Sequence, residues 1–274
     1  MLSESLLTHL KNHKIIIAIA ALAQTWLSYQ LFNIPINPYI LLFVTIATPF
    51  SYNLAESFSY AFNQEKKSFL TFEKLFFLFT FLTLLYIASF LNKNTISQFS
   101  FAAIIAIGYN LPLKANKNSA FRLRQIKGLK IFLIAFSWTL VTVYIPINFY
   151  AVNKISLAIV LINNFLFIAT LSLLFDIKDF QKDKVNNLPS IPVLIGEKKS
   201  YFIIRLILAV LIISTSFLYD SVGFSTTIAL LLHILFSYLV IFKFKSSHKN
   251  FYYTILIDGL LISQALVVWF AKNI

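Results

Sequence analysis

Apolar runs recur along the whole chain, at roughly 15–33, 38–62, 70–91, 95–113, 129–150, 154–176, 200–219, 223–242 and 251–271. About 20 such residues carry an α-helix through the ~30 Å hydrocarbon layer of a bilayer. No other feature limits the fold so strongly, because backbone N–H and C=O groups in lipid must be satisfied within the chain itself. Composition agrees: the 274 residues are 59% hydrophobic and 12% charged, and a water-soluble surface needs roughly twice that charge density. The expectation is an all-α polytopic membrane protein with nine transmembrane helices in one bundle. Spans of about 20 residues each consume most of the length, so residues 1–274 read as a single transmembrane domain.

Cysteine is absent, which removes disulfides, thiolate metal sites and thiol nucleophiles. The N-terminal segment with Glu4, His9, Lys11 and Lys14 has no small-residue cleavage site and reads as a retained lead-in. A net charge of +13 is compatible with nucleic-acid binding, but the placement of the charge excludes it. All of the 23 basic residues except Lys93, Lys154 and Lys272 fall before the first span or in and around alternate joins. By the positive-inside rule this places the N-terminus and long loops in the cytoplasm and the C-terminus outside, in the cytoplasmic membrane. The joins on the other side are short and breaker-rich: Pro35 with Pro38, Asn92-Lys93-Asn94, and Asp220-Ser221-Val222-Gly223. The 30 phenylalanines and 13 tyrosines are read mainly as lipid-facing bulk and interfacial belts.

The densest chemistry lies where the sixth apolar run ends, at Phe175-Asp176-Ile177-Lys178-Asp179-Phe180-Gln181-Lys182-Asp183-Lys184. On one continuous helix Asp176, Asp179 and Asp183 share a side at i, i+3 and i+7, while Lys178 and Lys182 point the other way. Carboxylates this close repel one another unless a cation neutralises them. Mg²⁺ suits a sparse carboxylate set completed by phosphate oxygens. A solvated charged helix end is the plain alternative.

A second polar face closes the second span, where Asn53, Glu56, Tyr60 and Asn63 recur with the same spacing. A carboxylate within a span costs at least ~2.5 kcal/mol at the bilayer centre, so Glu56 is expected to face the bundle interior. The join after the fourth span carries Tyr109-Asn110-Leu111-Pro112-Leu113-Lys114 and continues through Arg122, Arg124 and Lys127. These cations serve topology and anionic lipid, and they also suit a diphosphate, for which arginine offers bidentate contacts. Asp258 and His233, inside the ninth and eighth runs, are expected to hydrogen-bond between helices, Asp258 away from the cytoplasmic rim.

Nine spans, a polar motif after the second, the Tyr109-x-x-x-x-Lys114 opening of the basic loop, and Asp176-x-x-Asp179-x-x-x-Asp183 followed by Ser190-Ile191-Pro192-Val193-x-x-Gly196 together resemble the UbiA superfamily of intramembrane prenyltransferases. The resemblance implies a cytoplasmic-side polar cavity where two acidic motifs hold a polyprenyl diphosphate through Mg²⁺. The prenyl group would pass to an aromatic or related small acceptor. It implies metal ligation by Asp176, Asp179, Asp183 and Glu56, and diphosphate contacts from Asn53, Tyr109, Lys114, Arg122 and Arg124. The family pattern after Asn53 carries three acids where this chain has Leu54, Ser57 and Ala61. A second reading follows from that departure: a non-catalytic relative that binds an isoprenoid lipid or acts as a scaffold. A transporter is a third reading, suggested by Asn53, Asn163, Asn164 and Asp258, but glycine and proline are too scarce in the spans for broken helices.

Overall fold

The computed structural model of the chain describes residues 14–62, 71–108, 112–116, 119–122, 126–243 and 252–273. Among these residues the long helices are α1 (Ile15–Leu31), α2 (Pro38–Phe62), α3 (Thr71–Ala88), α4 (Lys93–Gly108), α5 (Leu129–Ile147) and α6 (Lys154–Lys178). Two short helices follow, α7 (Phe180–Val185) and α8 (Ile191–Ile195). The chain then continues through α9 (Glu197–Ser216), the single turn α10 (Tyr219–Val222), α11 (Phe224–Phe242) and α12 (Asp258–Asn273). A wider π-helical segment, Tyr252–Ile257, leads into α12. Helices α5, α6, α9, α11 and the Ile255–Asn273 stretch are long and apolar enough to cross a membrane, while Ile15–Leu31, Pro38–Leu54 and Leu75–Ala88 are shorter apolar helices. The chain is thus an integral-membrane helical bundle in which five crossings follow from length and apolarity alone.

One element departs from the all-α expectation. Pro112–Asn116 and Ser119–Arg122 pair antiparallel as a two-stranded hairpin, with a register shift between Pro112 and Lys114. It falls in the polar join between α4 and α5, where no lipid enforces a helix and Pro112 has no N–H to continue one.

The helices run between two ends of the bundle. At one end asparagines start them: Asn37 Oδ1 accepts from Tyr39 N (3.0 Å) and Ile40 N (3.2 Å), Asn92 Oδ1 from Thr95 N (2.8 Å), and Asn153 Oδ1 from Ile155 N (2.9 Å) and Ser156 N (3.1 Å). Each satisfies N–H groups that a helix start leaves open. The turns at this end are cross-tied. Lys272 Nζ donates to Gln30 O and to Asn33 Oδ1, Tyr150 OH to Pro35 O (3.1 Å), and Asn148 Nδ2 to Gln98 Oε1 (2.8 Å).

Inside the bundle, polar side chains bond from helix to helix. Gln24 of α1, fully buried, donates to Leu261 O (2.8 Å) and Gln264 Oε1 (3.1 Å) of α12 and accepts from Asn164 Nδ2 of α6 (2.9 Å). Thr139 of α5 donates to Asn164 Oδ1 (3.0 Å). Asn163 donates to Thr215 Oγ1 (3.2 Å) and accepts from Ser214 Oγ (2.6 Å), fastening α6 to α9. These partners account for both asparagines without a transport pathway. Pro146 in α5 supplies no N–H to Thr142 O, and there α5 widens to an i→i+5 turn over Leu140–Tyr144. Ser28 Oγ of α1 reaches the freed Thr142 carbonyl at 2.7 Å. His233 faces Ser263 Oγ across α11 and α12 at 3.1 Å, as the sequence reading expects.

Around this polar ladder lies an apolar core of Ile204, Leu208, Leu211, Leu174 and Leu260, among others. The outer faces remain apolar too, with Phe79 at 69% exposure, which is where lipid tails take the place of protein contacts. Replacing Gln24 by leucine leaves Leu261 O and the Asn164 amide without their partner. A loss of about 1–2 kcal/mol is expected, read by unfolding in detergent, with Phe79→Ala on the lipid face changing stability by less than ~0.5 kcal/mol.

Candidate functional site

The acidic stretch does not continue α6. The helix ends at Lys178, and Asp179 takes φ −88° and ψ 7° before α7 begins at Phe180. Two backbone bonds bridge the break, Asp179 N to Phe175 O (3.0 Å) and Asp183 N to Asp179 O (2.8 Å). The i→i−4 ladder thus carries across one loosened residue. Asp176, Asp179 and Asp183 still line one cavity, of about 430 Å³, but the lysines part company. Lys182 lines the cavity beside the acids, contrary to the expectation that it points away, because it follows Asp179 at i+3 and so shares its side. Lys178 points away as expected, its Nζ 5.6 Å from the Phe175 ring centre and 5.3 Å from that of Tyr253, a cation–π seat.

The cavity floor follows from local chain chemistry. After α7, Asn187 adopts φ 51° and the chain folds back so that Leu188 N donates to Asp183 O (2.9 Å). Ser190 is extended, and Pro192 enters the first turn of α8, where a missing N–H costs nothing. Gly196 at φ 87° then redirects the chain into α9, a conformation that a side chain disfavours. The Ser190–Gly196 string is thus a turn–helix–turn that brings Ser190 and Ile191 to the cavity. The Ser190 hydroxyl is buried and has no hydrogen-bond partner among the described residues.

The opposite wall comes from the start of α5, where Gly128 at φ 71° precedes Leu129 and Gly128, Lys130 and Ile131 face the acids. Asp176 is only 1% exposed, and Lys130 Nζ forms an ion pair with its Oδ1. Asp183 is buried as well, at 7% exposure. Burying a carboxylate without a partner is strongly unfavourable, so the pair is a condition for Asp176 to sit there charged. Among the described residues no three His, Cys, Asp or Glu side chains converge closely enough to enclose a metal ion.

Other positions named from the sequence distribute as follows. Asn53 is half-buried in α2. Glu56 belongs to the same helix, and its side chain falls outside the described residues. Lys114 and Arg122 lie on the two hairpin strands, again with side chains outside the description. Tyr109 and Arg124 lie outside it altogether. Asp258 opens α12 directly after the segment that carries Tyr253, and the charge of Lys178 reaches it. It therefore stands at the same end as the acidic motif, not away from it.

Sequence reasoning missed Lys130, counting it only as a topology charge. A usable signal was present: a cation in the first turn of a helix opposes the helix dipole, and such a residue needs a nearby anion.

A bundle of membrane helices with a carboxylate-lined polar pocket at one end defines a class, the intramembrane helical proteins whose site opens at the bundle rim. Residues 72–251 match the UbiA prenyltransferase family, and the chain belongs to that family. Solved structures share the fold at low identity. A UbiA homolog from Archaeoglobus fulgidus bound to DMAPP and Mg²⁺ superposes with a TM-score of 0.65 at 14% identity, covering 95% of this chain and 98% of that one. The apo UbiA homolog from Aeropyrum pernix K1 gives 0.64 at 13% identity, with 94% and 98% covered. A digeranylgeranylglyceryl phosphate synthase gives 0.63 at 16% identity, with 99% and 100% covered. No curated protein matches the sequence significantly.

The Lys130–Asp176 pair predicts a double-mutant signature. Lys130→Met alone is expected to destabilise by about 3 kcal/mol by stranding the carboxylate, and Lys130→Met with Asp176→Leu to recover most of it. Thermal unfolding of the single and double variants in detergent measures both.

Proposed function

We propose that the chain is a single membrane domain that transfers a prenyl group from a polyprenyl diphosphate to an aromatic or related small acceptor. The observation that carries this reading is the convergence of Asp176, Asp179 and Asp183 on one cavity at the bundle end, in a chain of the UbiA prenyltransferase family. Family relatives of the same fold hold DMAPP with Mg²⁺ and GPP with Mg²⁺.

The donor set fits a magnesium-assisted site. The carboxylates are hard oxygen ligands, and Mg²⁺ uses one or two of them together with waters and substrate phosphate oxygens, so a closed cage of three is unnecessary. The orphaned Ser190 hydroxyl offers one more oxygen at the same wall. Asp176, Asp179 and Asp183, with Glu56 from α2, would hold the metal. Asn53, Tyr109, Lys114, Arg122 and Arg124 would contact the diphosphate. When bound, Mg²⁺ neutralises charge growing on the leaving diphosphate.

In this reading the cationic side chains orient the donor's phosphates, and the apolar helices below the cavity hold its hydrocarbon tail and exclude water. The allylic C–O bond breaks with its electron pair leaving on the diphosphate. The acceptor supplies the pair for the new bond and releases a proton. The site opens to the cytoplasm, with the N-terminus inside and the C-terminus outside, as the basic loops dictate.

Leu54, Ser57 and Ala61 replace the first motif's acids, and this favours one second reading: a member that binds an isoprenoid lipid without turnover. Purified protein given GPP and Mg²⁺ is expected to release diphosphate. Chelation by EDTA should stop the release, and Asp179→Ala should slow it at least ~100-fold, in line with loss of charge stabilisation at a transferring group. Binding of GPP with no release, at any metal concentration, replaces the transferase reading with the second one.

A further inference from the structure

We propose that Lys130 is a resident counter-ion of the aspartate cluster, one that couples metal binding to diphosphate binding by passing from Asp176 to the diphosphate. The inference rests on the diphosphate reading above and concerns what this chain's own lysine does there.

Three observations carry it. Asp176 is buried and its carboxylate is held by Lys130, so a cation already stands where a metal would have to approach. The Lys130 side chain is nevertheless 32% exposed and lines the cavity together with Asp179, Lys182 and Asp183. A flexible four-carbon stem on a residue open to the cavity lets the ammonium move several ångströms without shifting α5. Its position in the first turn of α5 opposes the helix dipole, so the ammonium is retained by the acid and not by its own helix.

The electrostatics then make each ligand dependent on the other. A divalent cation arriving alone meets the ammonium at Asp176, a repulsion that is strong at these distances even at an effective dielectric of about 20. A diphosphate arriving alone meets three carboxylates against two lysines, of which Lys130 is already engaged by Asp176. Arriving together, the diphosphate draws Lys130 away, Asp176 becomes available to the metal, and the metal offsets the carboxylates that the diphosphate would otherwise face. Linkage requires the effect to be mutual, so the metal raises diphosphate affinity by the same factor.

The test uses the full chain in detergent, with protein-bound Mn²⁺ measured by equilibrium dialysis as the excess on the protein side, with and without pyrophosphate, so that the soluble Mn²⁺–pyrophosphate complex is equal on both sides. Wild type is expected to bind Mn²⁺ weakly alone and at least tenfold more tightly with pyrophosphate. Lys130→Gln keeps a donor for Asp176 but no charge. It is expected to bind Mn²⁺ alone about tenfold more tightly than wild type and to lose most of the pyrophosphate enhancement. Lys130→Arg, which keeps the charge, is expected to retain the enhancement, so a folding defect in one variant leaves the other informative. If Lys130→Gln shows the wild-type affinity and enhancement, the counter-ion role is overturned and the diphosphate reading stands. If wild type takes up no Mn²⁺ at any pyrophosphate concentration, the diphosphate reading falls with it.

Discussion

A polar group in the interior of a membrane bundle has no water to return to, and the rest of this structure depends on how that demand is met. Gln24 answers it by joining α1, α6 and α12 through three hydrogen bonds. Ser28 answers it by capping the carbonyl that Pro146 leaves open in α5. Each bond is modest in isolation, about 0.6 kcal/mol on average between membrane helices. Together they fix which helices are neighbours, a choice that apolar faces in an apolar solvent leave open. The bundle end that carries the site inherits its geometry from this ladder, because α5 and α6 are among the helices it fastens.

At the site the same demand takes an ionic form. Asp176 is buried at the end of α6, and Lys130, extending from α5, supplies its charge partner. The pair therefore also works as a clamp between the two helices whose ends wall the cavity. Lys178 and Arg205 show the contrast: both rest on aromatic rings, Lys178 near Phe175 and Tyr253 and Arg205 4.8 Å from the Phe242 ring centre. Basic residues at this end of the bundle thus differ in their seats: Lys130 is held by a carboxylate within the cavity, while Lys178 and Arg205 lie over aromatic rings.

Much of the fold was legible because lipid makes helix the only economical answer to a long apolar run. The long helices lie close to the apolar runs of the sequence, and Pro35 with Pro38, Asn92 and the Asp220–Gly223 turn mark their far-end boundaries as read. The cavity acids were legible because three carboxylates at the mouth of an apolar segment have few plain explanations. Lys182 was misread, because its i+3 spacing from Asp179 already puts it on the acidic side. What else escaped depended on events that periodicity does not encode: the hairpin formed in a join where no bilayer acts. The partnership of Lys130 with Asp176 spans 46 positions, so nothing in either local pattern announces it. Asp258 was misplaced although it stands only a few residues into the ninth run, whose start follows the basic join of Lys243, Lys245 and Lys249 and so lies at the same end as the acidic motif.

The wall that carries the aspartates is made almost entirely by residues 176–196, closed on themselves by the bonds of Asp179, Asp183 and Leu188. It is tied to α5 through Lys130. A wall built from one short stretch of sequence keeps its own shape wherever the long helices carry it, so a change in the tilt of α6 would move the three carboxylates together and leave their mutual spacing intact.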